Sequence, residues 1–401
     1  MASPTDPIAA RIARLSPAQR QQLDNLLRAK GLYLESDAAV TAEAVSMDFS
    51  FMFFADDRLG RSSRQYDLLL EAARFADQHD IRAVWLPERH FHSFGGPYPN
   101  PSVLAAAIAT ITRHVGLRAG SVVLPLHDPI RVAEEWAVVD QLSGGRVSIA
   151  FASGWHEQDF VLAPENYGNR KQIMADGIRA IQALWRGETV PRRGVNGGSV
   201  EIRTYPRPVQ KELPVWITSA GNPATFAAAG EMGAHILTGL TGQRPEDLAI
   251  KITAYREARR RAGHPPEGGR VALMLHTYLG EDDTRVKEQV RGPMRLYLRN
   301  NLDLHFELAK VREHSRSVVE FGAADEEALL DFAFERYFSS GALLGSVRKC
   351  SRIIHSLAGI GVTEIACLLD FGLQDSQVTA ALPQIAALRD STTISTTVRR
   401  E

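Results

Sequence analysis

Ala83-Val84-Trp85-Leu86-Pro87-Glu88-Arg89-His90-Phe91 is a four-residue apolar run that stops at a proline and opens into a carboxylate, a guanidinium and an imidazole in succession. A short run without polar alternation marks a strand buried on both faces, as in a parallel sheet covered by helices. Seven further stretches read the same way, at 47–54, 115–124, 147–151, 215–219, 234–238, 271–279 and 364–369. Helical patterns at 62–79, 101–112, 128–142 and 169–185 lie between them, with Asp128-Pro129 a good helix start. This alternation predicts an α/β fold, a (β/α)8 TIM barrel over 47–389, with its chemistry on the loops after the strands. Two insertions are expected. One is a β-hairpin at 189–205 around Gly194-Val195-Asn196-Gly197-Gly198, and the other is a mostly helical segment at 282–338, between strands seven and eight, that could cover the barrel mouth.

The flanks differ from this pattern. Residues 1–46 form an N-terminal helical extension in which a helix at 17–30 sets Leu23, Leu26 and Leu27 on one face, as a packed tail or a docking element. Residues 390–401 lack apolar periodicity and read as a C-terminal tail. Basic and acidic side chains number 46 and 47, a formal charge of -1, which provides no global field for nucleic acid or an anionic membrane. Cys350 and Cys367 are too few for a metal cluster or disulfide framework and read as reduced core residues. With no leader pattern and no long apolar run, the expected location is cytoplasmic.

Three constellations carry chemistry. The first is Ser219-Ala220-Gly221-Asn222-Pro223 after strand five, where a glycine turn runs into a helix of small residues, so that free N–H groups could cradle a phosphate. Arg170, at the start of the preceding helix, could neutralise the same phosphate; a tight turn and a solvated arginine are the plainer alternatives. The second is His90 with Glu88 and Arg89 at the end of strand two, where a histidine titrating near neutrality can hold or deliver a proton. His127 and His156 fall on the same rim, but no ligand spacing or carboxylate run points to a metal. The third is Gly120-Ser121-Val122-Val123-Leu124, a flat apolar wall for a planar ligand or, from composition alone, ordinary core packing. No dinucleotide or Walker phosphate fingerprint is present.

Across 47–385 the chain resembles the bacterial luciferase-like, flavin-dependent monooxygenases. The resemblance rests on the strand-two stretch Trp85 to Phe91, Asn100-Pro101, Val122-Val123-Leu124-Pro125, the stretch Val139 to Arg146, and Val215-Trp216-Ile217-Thr218-Ser219-Ala220-Gly221. Within that family it is most similar to the branch found in or beside nonribosomal peptide and polyketide assembly lines, and Ile12 to Pro17 also resembles the linker helices of those synthetases. The resemblance implies FMN across the C-terminal mouth, with Gly120 and Ser121 at its ring, Ala152 and Ser153 at the strand-four edge, and Arg170, Thr218, Ser219 and Gly221 at its phosphate. It implies O2 as co-substrate, reduced FMN from a separate flavin reductase, a homodimer or tetramer, and a substrate that could be an acyl, aminoacyl or peptidyl thioester on a carrier protein. Luciferases have two histidines after the strand-two glutamate and the first is credited with catalysis. Here that position is Arg89, and His90 matches the second. His90 is the leading catalytic candidate, with Arg89 stabilising negative charge on activated oxygen. Where luciferases hold the phosphate with an arginine, this chain has Ser153. Hydroxylation at carbon or nitrogen and Baeyer-Villiger insertion all fit. The alternatives are a deazaflavin-dependent oxidoreductase and a non-catalytic partner-binding barrel.

Overall fold

Continuous apolar strands have nowhere to lie except between a helical layer and a packed interior, and the chain resolves this by closing its sheet. The computed structural model describes residues 47–55, 64–240, 243–312 and 323–392. In chain order the strands are β1 (Asp48–Met52), β2 (Ala83–Leu86), β3 (Gly116–Val123), β4 (Val147–Ala152), the hairpin pair β5 (Val190–Arg193) and β6 (Ser199–Ile202), β7 (Val215–Ser219), β8 (His235–Gly239), β9 (Val271–Leu279), β10 (Leu343–Gly345) and β11 (Glu364–Leu368). Eight of these form a parallel barrel in the order β9-β11-β1-β2-β3-β4-β7-β8, closed by the pairing of β8 with β9. The hairpin β5-β6 stands outside it on the surface.

The surrounding helices are α1 (Asp67–Gln78), α2 (Pro101–Ile111), α3 (Pro129–Ser143), α4 (Arg170–Arg186), α5 (Pro223–Glu231), α6 (Pro245–Arg261), α7 (Asp283–Arg312), α8 (Ala323–Arg336), α9 (Val347–Gly359) and α10 (Asp375–Thr392). Their boundaries follow local chemistry. Asn100, Asp128 and Asn222 cap α2, α3 and α5 through side-chain oxygens, and Gly144 ends α3 in the left-handed region. Of the anticipated helices, α1 begins at Asp67, because residues 64–66 form a turn. The basic helix α6, the short β10 and α9 had no clear sequence signal. Helix α10 runs to the buried Thr392, three residues into the expected tail. The helix at 17–30 and residues 393–401 lie outside the described residues.

The insertion between β9 and β11 is the helix pair α7 and α8. It does reach over the strand ends: Tyr297 packs its ring 4.9 Å from Phe94 and 4.6 Å from His276. At the opposite end the barrel interior is closed by charge. Glu364 accepts hydrogen bonds from Arg118 (2.7 Å), Ser50 (2.7 Å), Arg270 (3.0 Å) and Trp85 (3.3 Å). Burial alone would raise its pKa, but the two guanidinium groups hold it down to about 2. Cys350 and Cys367 are free and buried, and burial pushes both thiols to about 12. No helix among the described residues is long and apolar enough to cross a membrane.

Candidate active site

Strand β2 ends under the mouth of the barrel, so the three polar residues after Pro87 are delivered to one place and then part company. Glu88 turns inward. Its Oε1 accepts from His90 Nε2 (2.8 Å) and His127 Nε2 (2.5 Å), and its Oε2 accepts the backbone N–H of Val123 (2.7 Å). Burial pushes the Glu88 carboxyl up, but the two imidazoles and the Val123 N–H outweigh it, so the group stays ionised below the usual range. His127 shows the converse: burial lowers its pKa, and Glu88 more than restores it, holding the ring on the charged side of its ordinary value. The sequence placed His90 and His127 on one rim; the structure adds the carboxylate that ties them together. Glu88, His90 and His127 also bring three potential metal-ligating atoms within 4.8 Å of one another, a grouping the sequence spacing did not reveal.

Arg89 points away from this cluster and is 3 % exposed. Its Nη1 reaches Asp159 Oδ2 at 3.4 Å, and its Cζ lies 5.1 Å from the Trp155 ring. Asp159 comes from the loop after β4, as does His156, whose Nδ1 stands 3.4 Å from Asp159 Oδ1. His156 is therefore deeply buried rather than at the solvent edge of the rim. Burial lowers the Arg89 pKa and Asp159 partly opposes this, but a guanidinium stays protonated. Phe91 follows with a φ of 54° and its ring exposed, an uncommon conformation for a bulky residue and one that turns the chain away from the barrel.

The residues expected around a flavin separate into a wall and a turn. On β3 the Gly120–Ser121 peptide is cis, and the pairing with β4 slips between Gly120 and Val122. A Cβ at Gly120 would lie 3.1 Å from Trp85, so this glycine serves close packing and would offer a ligand only its backbone. Ser121 shares a 2.6 Å hydrogen bond with Thr218, which joins the wall to β7; Ala152 and Ser153, half-buried, end β4 beside it. In the turn after β7, Ser219 Oγ accepts the Gly221 N–H (3.3 Å), Gly221 has φ 113°, and Asn222 caps α5. A Cβ at Gly221 would fill the space against Gln243 (3.1 Å) and Lys251 Nζ (3.3 Å). Lys251 donates to Gln243 (2.8 Å), which donates to Thr238 (3.1 Å), and Thr238 donates to the Ser219 carbonyl (2.7 Å). A left-handed glycine, a hydroxyl and a helix start in one turn, with an ammonium beside it, suit a phosphate. Lys251 lies mid-helix in α6, where nothing in the sequence singled it out. Arg170 is committed elsewhere: Nε donates to the Gly154 carbonyl (3.2 Å) and Nη1 to that of Tyr167 (2.8 Å), and none of its hydrogen bonds reaches Ser219 or Gly221.

His276, on β9, was also missed. It sits among Tyr297, Tyr337 and Phe371, and burial drives its pKa to about 3, so a neutral imidazole faces the apolar underside of the covering helices.

Comparison with known proteins shows the family and the fold. The family model for luciferase-like monooxygenases matches residues 47–364. The oxygenase component of flavin-dependent trigonelline monooxygenase from Acinetobacter baylyi is 24 % identical over 323 residues, 80 % of this chain and 88 % of that protein. The oxygenating constituent of 3,6-diketocamphane monooxygenase from Pseudomonas putida, solved with FMN, superposes with a TM-score of 0.69 at 19 % identity, covering 87 % of this chain and 99 % of that one. An F420-dependent secondary alcohol dehydrogenase does so with a TM-score of 0.62 at 17 % identity, covering 87 % and 100 %. The two structural likenesses speak for the fold, and the family match speaks for descent: the chain belongs to the luciferase-like, flavin-dependent monooxygenases.

Proposed function

We propose that the chain is the oxygenase half of a two-component system that takes reduced FMN from a separate flavin reductase and uses O2 to oxygenate an organic substrate of natural-product biosynthesis, delivered free or on a carrier protein. The observation that carries this reading is the carboxylate-anchored pair His90 and His127 at the same barrel mouth as the Ser219–Gly221 turn. Bound there, reduced FMN would supply two electrons, so that one atom of O2 enters the substrate and the other leaves as water.

The residues divide the remaining work. Ser219, Gly221 and Lys251 would hold the phosphate, with Arg170 at the neighbouring loop, while Ser121, Thr218, Ala152, Ser153 and the Gly120 backbone would border the ring. His90 has its Nε2 fixed by Glu88, which leaves Nδ1 to hold or deliver the proton. Arg89 would place positive charge near the developing oxyanion. Tyr297 and the helices of the insertion exclude water. Val103 on α2 and Val138 and Leu142 on α3 are exposed apolar residues that support self-association through those helices.

The test is anaerobic titration of the full chain with reduced FMN and, separately, reduced F420, followed by oxygenated buffer containing 18O2. Tight FMN binding with oxygen-dependent reoxidation supports the proposal. Preference for F420 with no oxygen dependence would make this a hydride-transfer enzyme.

A further inference from the structure

Arg89 has its hydrogen bonds in the wrong places for a structural residue. Nη1 is engaged by Asp159 at 3.4 Å, the outer limit of a hydrogen bond, while Nε and Nη2 are buried and have no partner. Those two nitrogens form one edge of the guanidinium plane and carry parallel N–H vectors, the edge that grips a carboxylate with two bonds at once. Beside it, Asp159 Oδ1 and His156 Nδ1 are buried and face each other at 3.4 Å without a well-formed hydrogen bond. Buried polar atoms are rarely left unpaired, since each costs about 1–3 kcal/mol and more when charged. Two on one guanidinium, in the residue next to Glu88, are therefore unusual.

The surroundings are shaped for the same purpose. Trp155 lies with its ring 5.1 Å from the Arg89 Cζ and is itself 46 % exposed, so the fork is close to the surface. On the inner side, Gly95 has φ 83°, and a Cβ there would lie 2.7 Å from Phe54 and 3.0 Å from Arg89 Cγ; only glycine lets the Arg89 stem lie where it does.

We infer that the Nε and Nη2 edge of Arg89 is the receptor for a carboxylate carried by the substrate, a role that takes the place of oxyanion stabilisation at this group, and hence that this enzyme acts on an organic acid. The inference builds on the proposed monooxygenase function in calling the bound molecule a substrate. A carrier-bound thioester meets the requirement only if it keeps a second, free carboxylate. Asp159 then acts as a positioning residue that aims the fork, with His156 behind it.

The experiment is calorimetric titration of the FMN-loaded chain, without turnover, with three acids and their neutral amides: acetate and acetamide, benzoate and benzamide, octanoate and octanamide. At least one acid should bind tenfold or more tightly than its amide. Arg89→Gln should abolish that preference, and Arg89→Lys, which keeps the charge but loses the planar fork, should retain only a small part of it. FMN affinity should be unchanged in both. Equal binding of every acid and amide, or no binding of any, overturns the inference, as does an undiminished preference in either variant. Equally tight binding of inorganic phosphate would reduce the site to a general anion hole, and weakened FMN affinity would reassign the fork to the cofactor; each overturns the carboxylate assignment. If Arg89→Gln fails to fold, the wild-type preference and Arg89→Lys decide. Because FMN affinity is read separately, failure here is distinguishable from failure of the flavin reading.

Discussion

Of the three buried arginines among the described residues, Arg89 and Arg118 lie at opposite ends of the barrel, and they are treated in opposite ways. At the closed end Arg118 donates to Glu364 at 2.7 Å and lies between Trp85 and Trp216, its Cζ 4.8 Å from each ring, and no buried nitrogen of it lacks a partner. At the mouth Arg89 has a single long bond and two buried nitrogens without one. The same side chain, equally far from water, is saturated where it holds the fold together and left unsaturated where chemistry is expected. Barrel enzymes separate stability from function in this way, one face for each.

The largest effect that should sharpen the contrast is on stability. Glu364→Ala would strand Arg118 without its counter-charge, and a loss of about 3–5 kcal/mol is expected in denaturant unfolding. Arg89→Met should cost less than Glu364→Ala, since the pair it breaks is long at 3.4 Å and the Asp159 it leaves behind still faces His156 at 3.4 Å. A cost for Arg89→Met as large as that for Glu364→Ala would make both arginines structural and break the comparison.

On activity the order should reverse. His90→Ala is expected to lower product formation by roughly 10²–10⁴-fold, the range for a positioned acid or base, with a change in thermal midpoint of no more than a few degrees. Unchanged turnover would remove His90 from catalysis. Glu88→Gln keeps a hydrogen-bonding side chain but removes the charge that raises the His127 pKa. NMR titration should show that pKa falling, and an unchanged value would mean that the carboxylate does not set it.

The smallest effect is a pH slope. His276 and His235 are held neutral in the folded chain, at about 3 and about 4, chiefly by burial, against 6.5 when unfolded. A lowered folded pKa means that the unfolded chain takes up protons first. Stability is therefore full above pH 6.5 and declines as pH falls toward 4 and then 3, by about 1.4 kcal/mol per pH unit for each group. His276→Phe should flatten the dependence of the urea midpoint between pH 6.5 and 5; an unaltered slope would mean that the ring is reached by water.

Much of this was legible in the chain. The limits of β2, β7 and β9 coincide with their mainly apolar runs because a strand buried on both faces is built largely of apolar residues. The caps Asn100, Asp128 and Asn222 act on residues two or three positions away, so they too are readable. Helix α6 was harder, because its many arginines hide a narrow buried stripe of Leu248, Ile252 and Tyr255.

By itself, then, the sequence determined the barrel, the family and the rim on which His90 and Arg89 stand, since periodicity, capping and strand-end motifs are all local. Only the tertiary structure decided which way those side chains face and whom they meet. Glu88 finds His127 39 residues away and Arg89 finds Asp159 70 away, while Lys251 meets the Gly221 turn from another helix. The cause is closure: joining β8 to β9 brings eight strand ends to one mouth, and partners that meet there have no fixed separation along the chain.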